Sequence, residues 1–425
     1  MSGPLALLIA QKITKKDNFT PRFASRLALY DADSELIDDA IVIYFKAPHS
    51  FTGEDIVEFQ CHGGVVVASM ILETIIQHGA RLATPGEFSK RAFLNGKIDL
   101  TEAEAISKLI ETKSMDAAKI LARQMRGELR EFVEKIRDEL VDILAYVEVS
   151  IDYAEEDLPE DILQQIIKKL DLLERDLKIT YESSKRREGL IEGFKVAIVG
   201  KPNVGKSSLL NSFLSYERAI ISDVAGTTRD TIEEDIRLGT HLIKIVDTAG
   251  IRESNDLVEK IGIERSKRAI ESSDIVIALF DNSREFDKED QAIMDILDAC
   301  DETIPIIKVL NKIDLPSQFD IAHLHGDFIE ISSIYDTTLI LEKLKTILER
   351  SSQDDALLLI SKRQIDAVYG ALEAIYESKN VLNEGELEIF AFHLNEAIAK
   401  MASITKNFDR DEILDKMFGS FCLGK

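Results

Sequence analysis

The sequence has few cysteines, no long apolar run near its start and no excess of positive charge. Its three cysteines, Cys61, Cys300 and Cys422, lie far apart, fit no metal-ligand spacing and are odd in number, which favours a reducing compartment. The apolar run Pro4 to Ala10 is too short for a membrane span, and no basic residue precedes it as in a signal peptide. We therefore expect a soluble, cytoplasmic protein that does not associate with a membrane.

The overall charge is strongly acidic. Lys and Arg total 52 against 77 Asp and Glu, so the formal net charge of the 425 residues is −25. A chain this acidic repels phosphate backbones at long range, so contact with a nucleic acid requires a local basic patch or a basic partner. Hydrophobic residues at 45% and charged residues at 30% are typical of a folded protein, and the length predicts about two to four domains.

Two patterns of apolar residues precede the middle of the chain. Residues 26–60 contain short runs typical of strands, with "DADSE" as a hairpin turn, and a helical pattern follows at 65–77, which indicates a small α+β domain. Thr101 and Glu104 then predict a capping box, and another helix is expected after Pro159. Between these points lies one long amphipathic helix, whose apolar positions are Leu129, Phe132, Val133, Ile136, Leu140, Ile143, Leu144 and Val147.

Strands alternate with helices from Lys195 to about Arg350. The runs "KVAIVG", "HLIKIVDTAG", "DIVIALFD" and "PIIKVLNKID" are almost continuously apolar and end in Gly, Asp or Asn, which is typical of buried parallel strands. After Asp354 the pattern is helical again, and Ser361 with Gln364 forms a second predicted capping box. Helices on both sides favour an α/β unit inserted into a helical domain, although two separate helical domains would give the same pattern.

A phosphate-binding loop is predicted at Gly200 to Ser207. The sequence there, "GKPNVGKS", lies between an apolar strand and a helical segment, which is the context that a P-loop requires. Its glycine-rich turn points backbone N–H groups at phosphate oxygens, Lys206 reaches the β and γ phosphates, and the Ser207 hydroxyl ligates Mg²⁺.

Further motifs follow at the ends of later strands. The acidic residue of "DTAG" (247–250) can reach the Mg²⁺ shell, and Thr227 and Thr228 are candidates for a switch that folds over the ion. Asp314 in "NKID" can accept hydrogen bonds from N1 and the exocyclic amino group of guanine, a pair that adenine lacks. The ordered motifs therefore predict a GTPase. The expected GTP-binding residues are Asn203, Val204, Gly205, Lys206, Ser207, Ser208, Ser222, Asp223, Val224, Ala225, Gly226, Thr227, Thr228, Asp247, Thr248, Ala249, Gly250, Asn311, Lys312, Asp314, Ser332 and Ser333.

The residue that positions the attacking water is left open by the motifs. Ras-type enzymes place a Gln after "DTAG", whereas this chain has Ile251, whose aliphatic side chain cannot orient water. Glu259 could do so directly or through a second water, whereas Arg229 or Arg252 could instead neutralise the charge that develops.

Six stretches of the chain recur in the order found in one known family. They are "FTGEDIVEFQCHGG" (51–64), "PGEFSKRAFLNGKIDL" (85–100), "KPNVGKSSLLN" (201–211), "AGTTRD" (225–230), "DTAGIRESNDLVEKIGIERS" (247–266) and "FCLGK" (421–425). Three of them lie outside the GTPase unit, so they are not shared by P-loop proteins in general. In these stretches the chain resembles the tRNA-modification GTPase family MnmE, also called TrmE.

The resemblance implies a multidomain fold. It comprises an N-terminal α+β tetrahydrofolate-binding and dimerisation domain at 1–97, a helical domain at 98–193 plus 352–425, and an inserted α/β P-loop G domain at 194–351. Family members carry a glycine-rich strand that ends in an Arg followed by "SG", whereas this chain opens with "MSG". We therefore expect the first strand of the N-terminal domain, and its folate-contacting Arg, to be missing from this sequence.

The resemblance also implies a reaction and its partners. GTP hydrolysis would drive or gate the addition of an aminomethyl or carboxymethylaminomethyl group to carbon 5 of the tRNA wobble uridine. The partners would be an FAD-containing MnmG (GidA) subunit, tRNA and a second copy of the chain. The cofactors would be GTP, Mg²⁺, K⁺ and a tetrahydrofolate derivative in the 5,10-methylene or 5-formyl form.

Individual roles follow from the resemblance. Glu259 matches the family's catalytic Glu, and Cys422 is a second catalytic candidate because it lies three residues before Lys425. The folate-site positions are Glu58, Lys97 and Lys425. The implied Mg²⁺ ligands are Ser207 and Thr228, and the implied K⁺ ligands are Asn203, Thr227 and the carbonyl oxygens of Ser222 and Val224.

A different class of function remains as the alternative. A GTPase switch in ribosome assembly would use its nucleotide state to control RNA binding and would perform no chemistry on RNA. Such proteins usually append a basic RNA-binding module. The acidic composition and the terminal "FCLGK" argue against this alternative.

Overall fold

The computed structural model describes seven stretches of the chain, namely 1–152, 160–218, 234–246, 266–300, 304–352, 357–382 and 386–405. The helices with both ends described are α1 Ala6–Thr14, α2 Val65–Gln77, α3 Glu87–Leu94, α4 Leu100–Glu111, α5 Met115–Gln124, α6 Glu128–Asp152, α7 Glu160–Arg186, α8 Glu188–Glu192, α9 Lys206–Arg218, α10 Lys288–Asp298, α11 Thr338–Ser352, α12 Lys362–Leu382 and α13 Leu387–Thr405. The strands are β1 Ser25–Tyr30, β2 Leu36–Phe45, β3 Ile56–Gln60, β4 Phe194–Val199, β5 Glu234–Leu238, β6 His241–Val246, β7 Ile275–Asp281, β8 Ile306–Asn311 and β9 Phe328–Glu330.

These elements form two compact units, whose boundaries differ from those of the three predicted domains. The first unit holds Met1–Ile110, Arg123–Leu173 and the described residues from Asp366 onward, and the second holds Glu111–Ala122 and Glu174–Ile365. The boundaries of the predicted domains therefore stay a prediction.

The first unit begins with a three-stranded antiparallel sheet in the order β1-β2-β3. The strands coincide with the three runs predicted from 26–60, and the Asp31 carboxylate closes the predicted hairpin by accepting from the backbone N–H groups of Asp33 and Glu35. Helices α1 and α2 pack on this sheet because their apolar residues are buried against it. The core contains Ile9, Ile13, Leu29, Val42, Val57, Ile71 and Ile75.

The helical part of the first unit contains the predicted long amphipathic helix. Helix α6 packs along α13. Seven of the eight predicted apolar positions of α6 are at most 9% exposed, whereas Phe132 is only half-buried; the seven are Leu129, Val133, Ile136, Leu140, Ile143, Leu144 and Val147. The 3.6-residue period therefore identified the buried face of this helix correctly.

The first predicted capping box was placed two residues too late. The N-cap of α4 is Asp99, whose carboxylate accepts from the backbone N–H of Glu102 at 2.8 Å, while the Glu102 carboxylate accepts from the backbone N–H of Asp99 at 2.8 Å. Asp99 outcompetes Thr101 because a carboxylate is a stronger acceptor than a hydroxyl, and Thr101 itself donates to Asp99. At the second predicted box, Ser361 accepts from the backbone N–H of Gln364 and α12 begins at the next residue, as expected, while the Gln364 side chain accepts from the backbone N–H of Ile360 at 2.8 Å.

The second unit is built around a six-stranded mixed sheet in the order β5-β6-β4-β7-β8-β9. Strands β4, β6, β7 and β8 are parallel, as their apolar runs predicted, and β9 pairs parallel to β8. Strand β5 is an antiparallel edge strand that the sequence analysis did not identify. Both faces of the sheet are buried. Helices α9 and α11 cover one face and α10 covers the other, so the carboxyl ends of the parallel strands share one edge.

Helix α5 belongs to this second unit, although it lies in the chain between two helices of the first. The turn between β5 and β6 holds its N-terminus, because the Thr240 carbonyl oxygen accepts from the Met115 backbone N–H at 3.1 Å and from the Ser114 hydroxyl at 3.0 Å. In return, the Thr240 hydroxyl donates to the Asp116 carboxylate at 2.6 Å. None of the helices in the described stretches combines the length and apolar character that a membrane-spanning helix requires.

The corrected capping box gives a test of stability. Replacing Asp99 with Ala removes the acceptor for the Glu102 backbone N–H, so we expect a loss of about 1 kcal/mol in the free energy of unfolding. Asp99→Asn should keep most of the stability because an Asn side chain also caps helices well. Urea unfolding measures both variants, with amide hydrogen exchange of the first turn of α4 as a local readout. Wild-type exchange in Asp99→Ala would contradict the assignment.

Candidate nucleotide-binding site

The phosphate loop connects the end of β4 to the start of α9, and two glycines let it approach its neighbours closely. Gly200 has φ +153° and Gly205 has φ +110°, which are left-handed conformations that favour glycine. A Cβ atom at Gly200 would lie 2.6 Å from the carbonyl oxygen of Leu279, and one at Gly205 would collide with the side-chain amide of Asn311. The first backbone N–H groups of α9 therefore open onto a concave loop, which is the form that binds phosphate.

Lys206, the first residue of α9, points its ammonium group back into this loop. Its Nζ donates to the carbonyl oxygens of Gly200 at 2.6 Å and Lys201 at 2.9 Å. Burial lowers the pKa of Lys206 to about 8, because desolvation disfavours the charged form more than the distant Glu289 carboxylate favours it. Among the described residues, no carboxylate pairs with Lys206, so a bound phosphate would supply a counter-charge at this position.

The predicted base-binding residues are tied directly to the phosphate loop. Asn311, which is fully buried, donates through Nδ2 to the Val204 carbonyl oxygen at 2.7 Å and to the Ser333 hydroxyl at 3.1 Å. Its Oδ1 accepts from the Ser333 backbone N–H at 2.9 Å. Lys312 adds a second tie, because its Nζ donates to the Asn203 carbonyl oxygen at 2.7 Å and to Asp281 at 2.6 Å. Three of the predicted motifs therefore meet at one edge of the sheet.

A cavity lies beside these residues. Its volume is about 370 Å³, and its lining includes the exposed Asp314 carboxylate, Ser332 and the exposed ring of Tyr335. The Ser332 hydroxyl is buried and has no hydrogen-bond partner among the described residues. A buried hydroxyl without a partner is costly, so a ligand that bonds to it is favoured at this position.

The sequence analysis missed one group that holds the phosphate loop. Lys201 follows Gly200, and its side chain is only 4% exposed. Its Nζ donates to Asp290 at 2.6 Å and to Asp287 at 2.9 Å, at the start of α10. Burial alone would lower the pKa of Lys201, but its hydrogen bonds to Asp290 and Asp287 raise that pKa above its usual value. Hereafter these three residues are the Lys201 clamp.

The clamp leaves a weak signal in the sequence. Asp287 is the N-cap of α10, and the run "FDKED" (286–290) marks a capping box with two carboxylates one turn apart. A capping box predicts a helix start but not an ion pair with a lysine 89 positions away. The pairing could therefore be found only from the fold.

Other predicted site residues lie elsewhere. Glu58 is exposed on β3, and the exposed Lys97 follows α3, with its side chain near Gly53. Several predicted residues lie outside the described stretches: Ser222, Asp223, Val224, Ala225, Gly226, Thr227, Thr228, Asp247, Thr248, Ala249, Gly250, Glu259, Cys422 and Lys425. The open choice among Glu259, Arg229 and Arg252 also falls outside them.

The ion pairs of the Lys201 clamp predict that a single substitution lowers the stability of the protein strongly. Lys201→Met would leave the fully buried Asp290 without its counter-charge, which typically costs about 3–5 kcal/mol of stability. Adding Asp290→Asn removes the uncompensated charge and should recover a large part of that loss. Urea unfolding of the wild type, both single variants and the double variant forms the required double-mutant cycle. Purely additive losses would contradict a direct pairing.

The lowered pKa of Lys206 predicts that the stability of the nucleotide-free protein depends on pH. Its pKa is about 8 in the fold against 10.5 in the unfolded chain, so between these values the unfolded state holds more protons. Stability should therefore rise with pH across this window, and Lys206→Met should remove that part of the rise. Thermal unfolding of both proteins between about pH 7 and pH 10 measures the difference. Parallel curves for the two proteins would contradict the assigned pKa.

Known proteins match this chain along almost its whole length. The family model described as "MnmE helical domain" matches residues 100–422, and the model described as "GTP-binding protein TrmE N-terminus" matches residues 1–97. The tRNA modification GTPase MnmE of Sulfurimonas denitrificans is 62% identical over 425 residues, which cover 100% of this chain and 95% of the relative. The protein of the same name from Campylobacter jejuni is 54% identical, with the same coverage of both chains. The chain therefore belongs to the MnmE (TrmE) family of tRNA modification GTPases.

Proposed function

We propose that this protein hydrolyses GTP as one component of the machinery that adds an aminomethyl or carboxymethylaminomethyl group to carbon 5 of the tRNA wobble uridine. The observation that carries the proposal is the bonding of Asn311 to both the phosphate loop and Ser333, which joins separate motifs into one guanine-nucleotide site. Membership of the MnmE family supports tRNA as the molecule that is modified.

The nucleotide would span the sheet edge from Asp314 to Lys206. Asp314 would accept from the guanine base, and the Ser332 hydroxyl, which has no partner among the described residues, would bond to the same base. The phosphates would lie at the N-terminus of α9, where Lys206 would exchange its bonds to loop carbonyl oxygens for bonds to phosphate oxygens. Mg²⁺ would be held by the hydroxyls of Ser207 and Thr228 and would neutralise phosphate charge.

Hydrolysis would rely on Glu259 and on a monovalent cation. Glu259 would orient the attacking water, because Ile251 cannot. K⁺ would be held by Asn203 and Thr227 with the carbonyl oxygens of Ser222 and Val224. A positive charge at this place is worth about 10³–10⁵ in rate in GTPases that use an arginine finger. Asn203 is exposed on the phosphate loop with φ 63°, so its side chain is available to a cation beside the phosphates.

The modification itself would need a second site and further partners. Glu58, Lys97 and Lys425 would bind a tetrahydrofolate derivative in a homodimer of the N-terminal domains, and Cys422 would act near that folate. An FAD-containing MnmG subunit would complete the tRNA-modifying complex. Glu58 and Lys97 lie in the same unit and both are exposed, which is compatible with a shared ligand.

Nucleoside analysis tests the proposal against the alternative in ribosome assembly. In a strain that lacks this protein, mass spectrometry of digested tRNA should show wobble uridine without its carbon-5 substituent, and the wild-type gene should restore it. A ribosome-assembly GTPase would instead leave these nucleosides intact while immature ribosomal subunits accumulate. Intact wobble nucleosides would therefore refute the proposed reaction.

A substitution of Glu259 separates nucleotide binding from hydrolysis. Glu259→Ala should leave GTP affinity nearly unchanged, because the residues that hold the nucleotide lie elsewhere in the site. Single-turnover hydrolysis should slow by about 10²–10⁴, the usual effect of losing an orienting or acid–base group. Hydrolysis at the wild-type rate would transfer the role to Arg229 or Arg252, which the motifs left open.

Changes at the end of the chain should separate the two activities in the opposite way, because they should impair tRNA modification without impairing GTP hydrolysis. Cys422→Ser, or removal of residues 423–425, should leave GTP hydrolysis nearly unchanged while wobble-uridine modification is abolished or sharply reduced. A nearby Lys would favour the reactive thiolate of a cysteine whose usual pKa is about 8.5. Both activities are measured on the same preparations. Full modification by the shortened protein would show that residues 423–425 have no role in the reaction.

A further inference from the structure

The start of this acidic chain is basic. Residues 1–26 contain five Lys and Arg residues and one acidic residue, Asp17, although the whole chain has a net charge of −25. Such a local reversal of charge is what an acidic protein needs if it is to contact a polyanion.

The fold gathers several of these cations at one end of the three-stranded sheet, where β1 begins and β2 ends. Lys16 Nζ lies 3.4 Å from the hydroxyl of Ser25, the first residue of β1, and Arg26 follows in the strand. The Arg22 backbone N–H donates to the Tyr44 carbonyl oxygen at 2.7 Å, near the end of β2, and Lys46 follows two residues later. We call Lys16, Arg22, Arg26 and Lys46 the basic face.

The basic face is poorly neutralised by the protein itself. Among the described residues, Arg26 alone of the four pairs with a carboxylate, that of Asp39, and the two side chains are 78% and 48% exposed. Exposed pairs of this kind are weak. The neighbouring Asp55 carboxylate already accepts from the Tyr44 hydroxyl at 3.0 Å and from the Ala47 backbone N–H at 2.9 Å. Among the described residues, Lys16, Arg22 and Lys46 have no carboxylate partner, which favours an external anion.

An exposed aromatic ring lies within the basic face. Phe23 is 63% exposed and lies between Arg22 and Arg26 in the chain. Arg22 has φ 60°, a left-handed conformation that is unfavourable for residues other than glycine. Its backbone bond to Tyr44 and the bond from its guanidinium to the His49 carbonyl oxygen, at 3.1 Å, hold it there. These two bonds therefore hold the backbone and the guanidinium of Arg22 in a fixed arrangement, and the exposed Phe23 follows it in the chain.

We propose that the basic face binds the sugar-phosphate backbone of the tRNA while the neighbouring exposed ring of Phe23 stacks on an unpaired base. The proposal rests on the proposed function, which makes tRNA the molecule that is modified. Cations that contact phosphates release condensed counterions, and an aromatic ring binds bases of any sequence by stacking. The acidic remainder of the chain repels RNA, so it directs the RNA to this face.

The positions of the four cations in the fold favour RNA over a lipid surface as the partner of the basic face. They come from a loop, a strand and the residue after a strand, whereas membrane-surface proteins usually carry their cations along one amphipathic helix. A single exposed aromatic ring among them is also the arrangement found in proteins that bind single-stranded nucleic acids.

The test is a titration of the full chain with a tRNA transcript at several salt concentrations. The variant Lys16→Gln, Arg22→Gln, Lys46→Gln should bind about tenfold or more weakly near 0.1 M salt, and the slope of log affinity against log salt should fall by roughly 2 to 3. The matched control replaces three exposed lysines of α7 and α11 with Gln, namely Lys168, Lys169 and Lys343. It changes the net charge equally and should shift the affinity by less than about twofold.

Phe23→Ala separates stacking from charge. It should weaken binding roughly tenfold while leaving the salt slope unchanged, because stacking releases no counterions. GTP hydrolysis should be unchanged in all three variants, since none of the substituted residues lies in the nucleotide site, and this also verifies that each variant is folded.

Three results would overturn the inference. Equal weakening by the basic-face variant and its control would mean that only the overall charge matters. Unchanged binding by the basic-face variant would place the RNA elsewhere. Failure of the wild type to bind tRNA, together with binding to phosphatidylserine vesicles that the variant loses, would assign the face to a membrane. Intact wobble nucleosides in the deletion strain would refute the proposed function alone, because the titration measures RNA binding directly.

Discussion

The hydrogen bond from the Asn311 side chain to the Val204 carbonyl oxygen, 2.7 Å long, is the constraint on which the nucleotide site depends. It fixes the phosphate loop against the end of β8, and the contact is so close that only glycine fits at position 205. The Lys201 clamp fixes the other side of the loop to α10. The loop is therefore held from two sides by buried polar groups, so its backbone N–H groups are positioned before any phosphate arrives.

The elements that the sequence predicted correctly are those whose signals are local. The parallel strands were found because runs such as "DIVIALFD" are apolar throughout, and all seven residues of β7 are buried. The phosphate loop was found because its glycines, Lys206 and Ser207 occur within eight consecutive residues. The N-terminus of α4 was placed two residues late, because two overlapping patterns were both acceptable capping boxes and only the hydrogen bonds distinguish them.

The features that the sequence could not supply join residues that are far apart in the chain. Lys201 pairs with a carboxylate 89 positions away, and the Thr240 hydroxyl bonds to Asp116 at a separation of 124. The second contact attaches α5 to the turn between β5 and β6. Strand β5 begins directly after residues 219–233, and β6 ends directly before 247–250, so both strands lead into predicted motif residues. Helix α5 therefore restrains the hairpin that connects two parts of the predicted GTP site.

The charge of the chain would affect the two proposed phosphate-binding surfaces differently. The phosphate loop would need little net positive charge, because the backbone N–H groups at the start of α9 and the single ammonium group of Lys206 would supply its contacts. The basic face is exposed and consists of side-chain cations, so its affinity for RNA must fall steeply as salt rises. Because the rest of the chain repels RNA, the number of phosphates that this protein contacts is limited by the size of that face. RNA binding would therefore be weak at physiological salt, and a second basic subunit would be required to hold the tRNA firmly during the reaction.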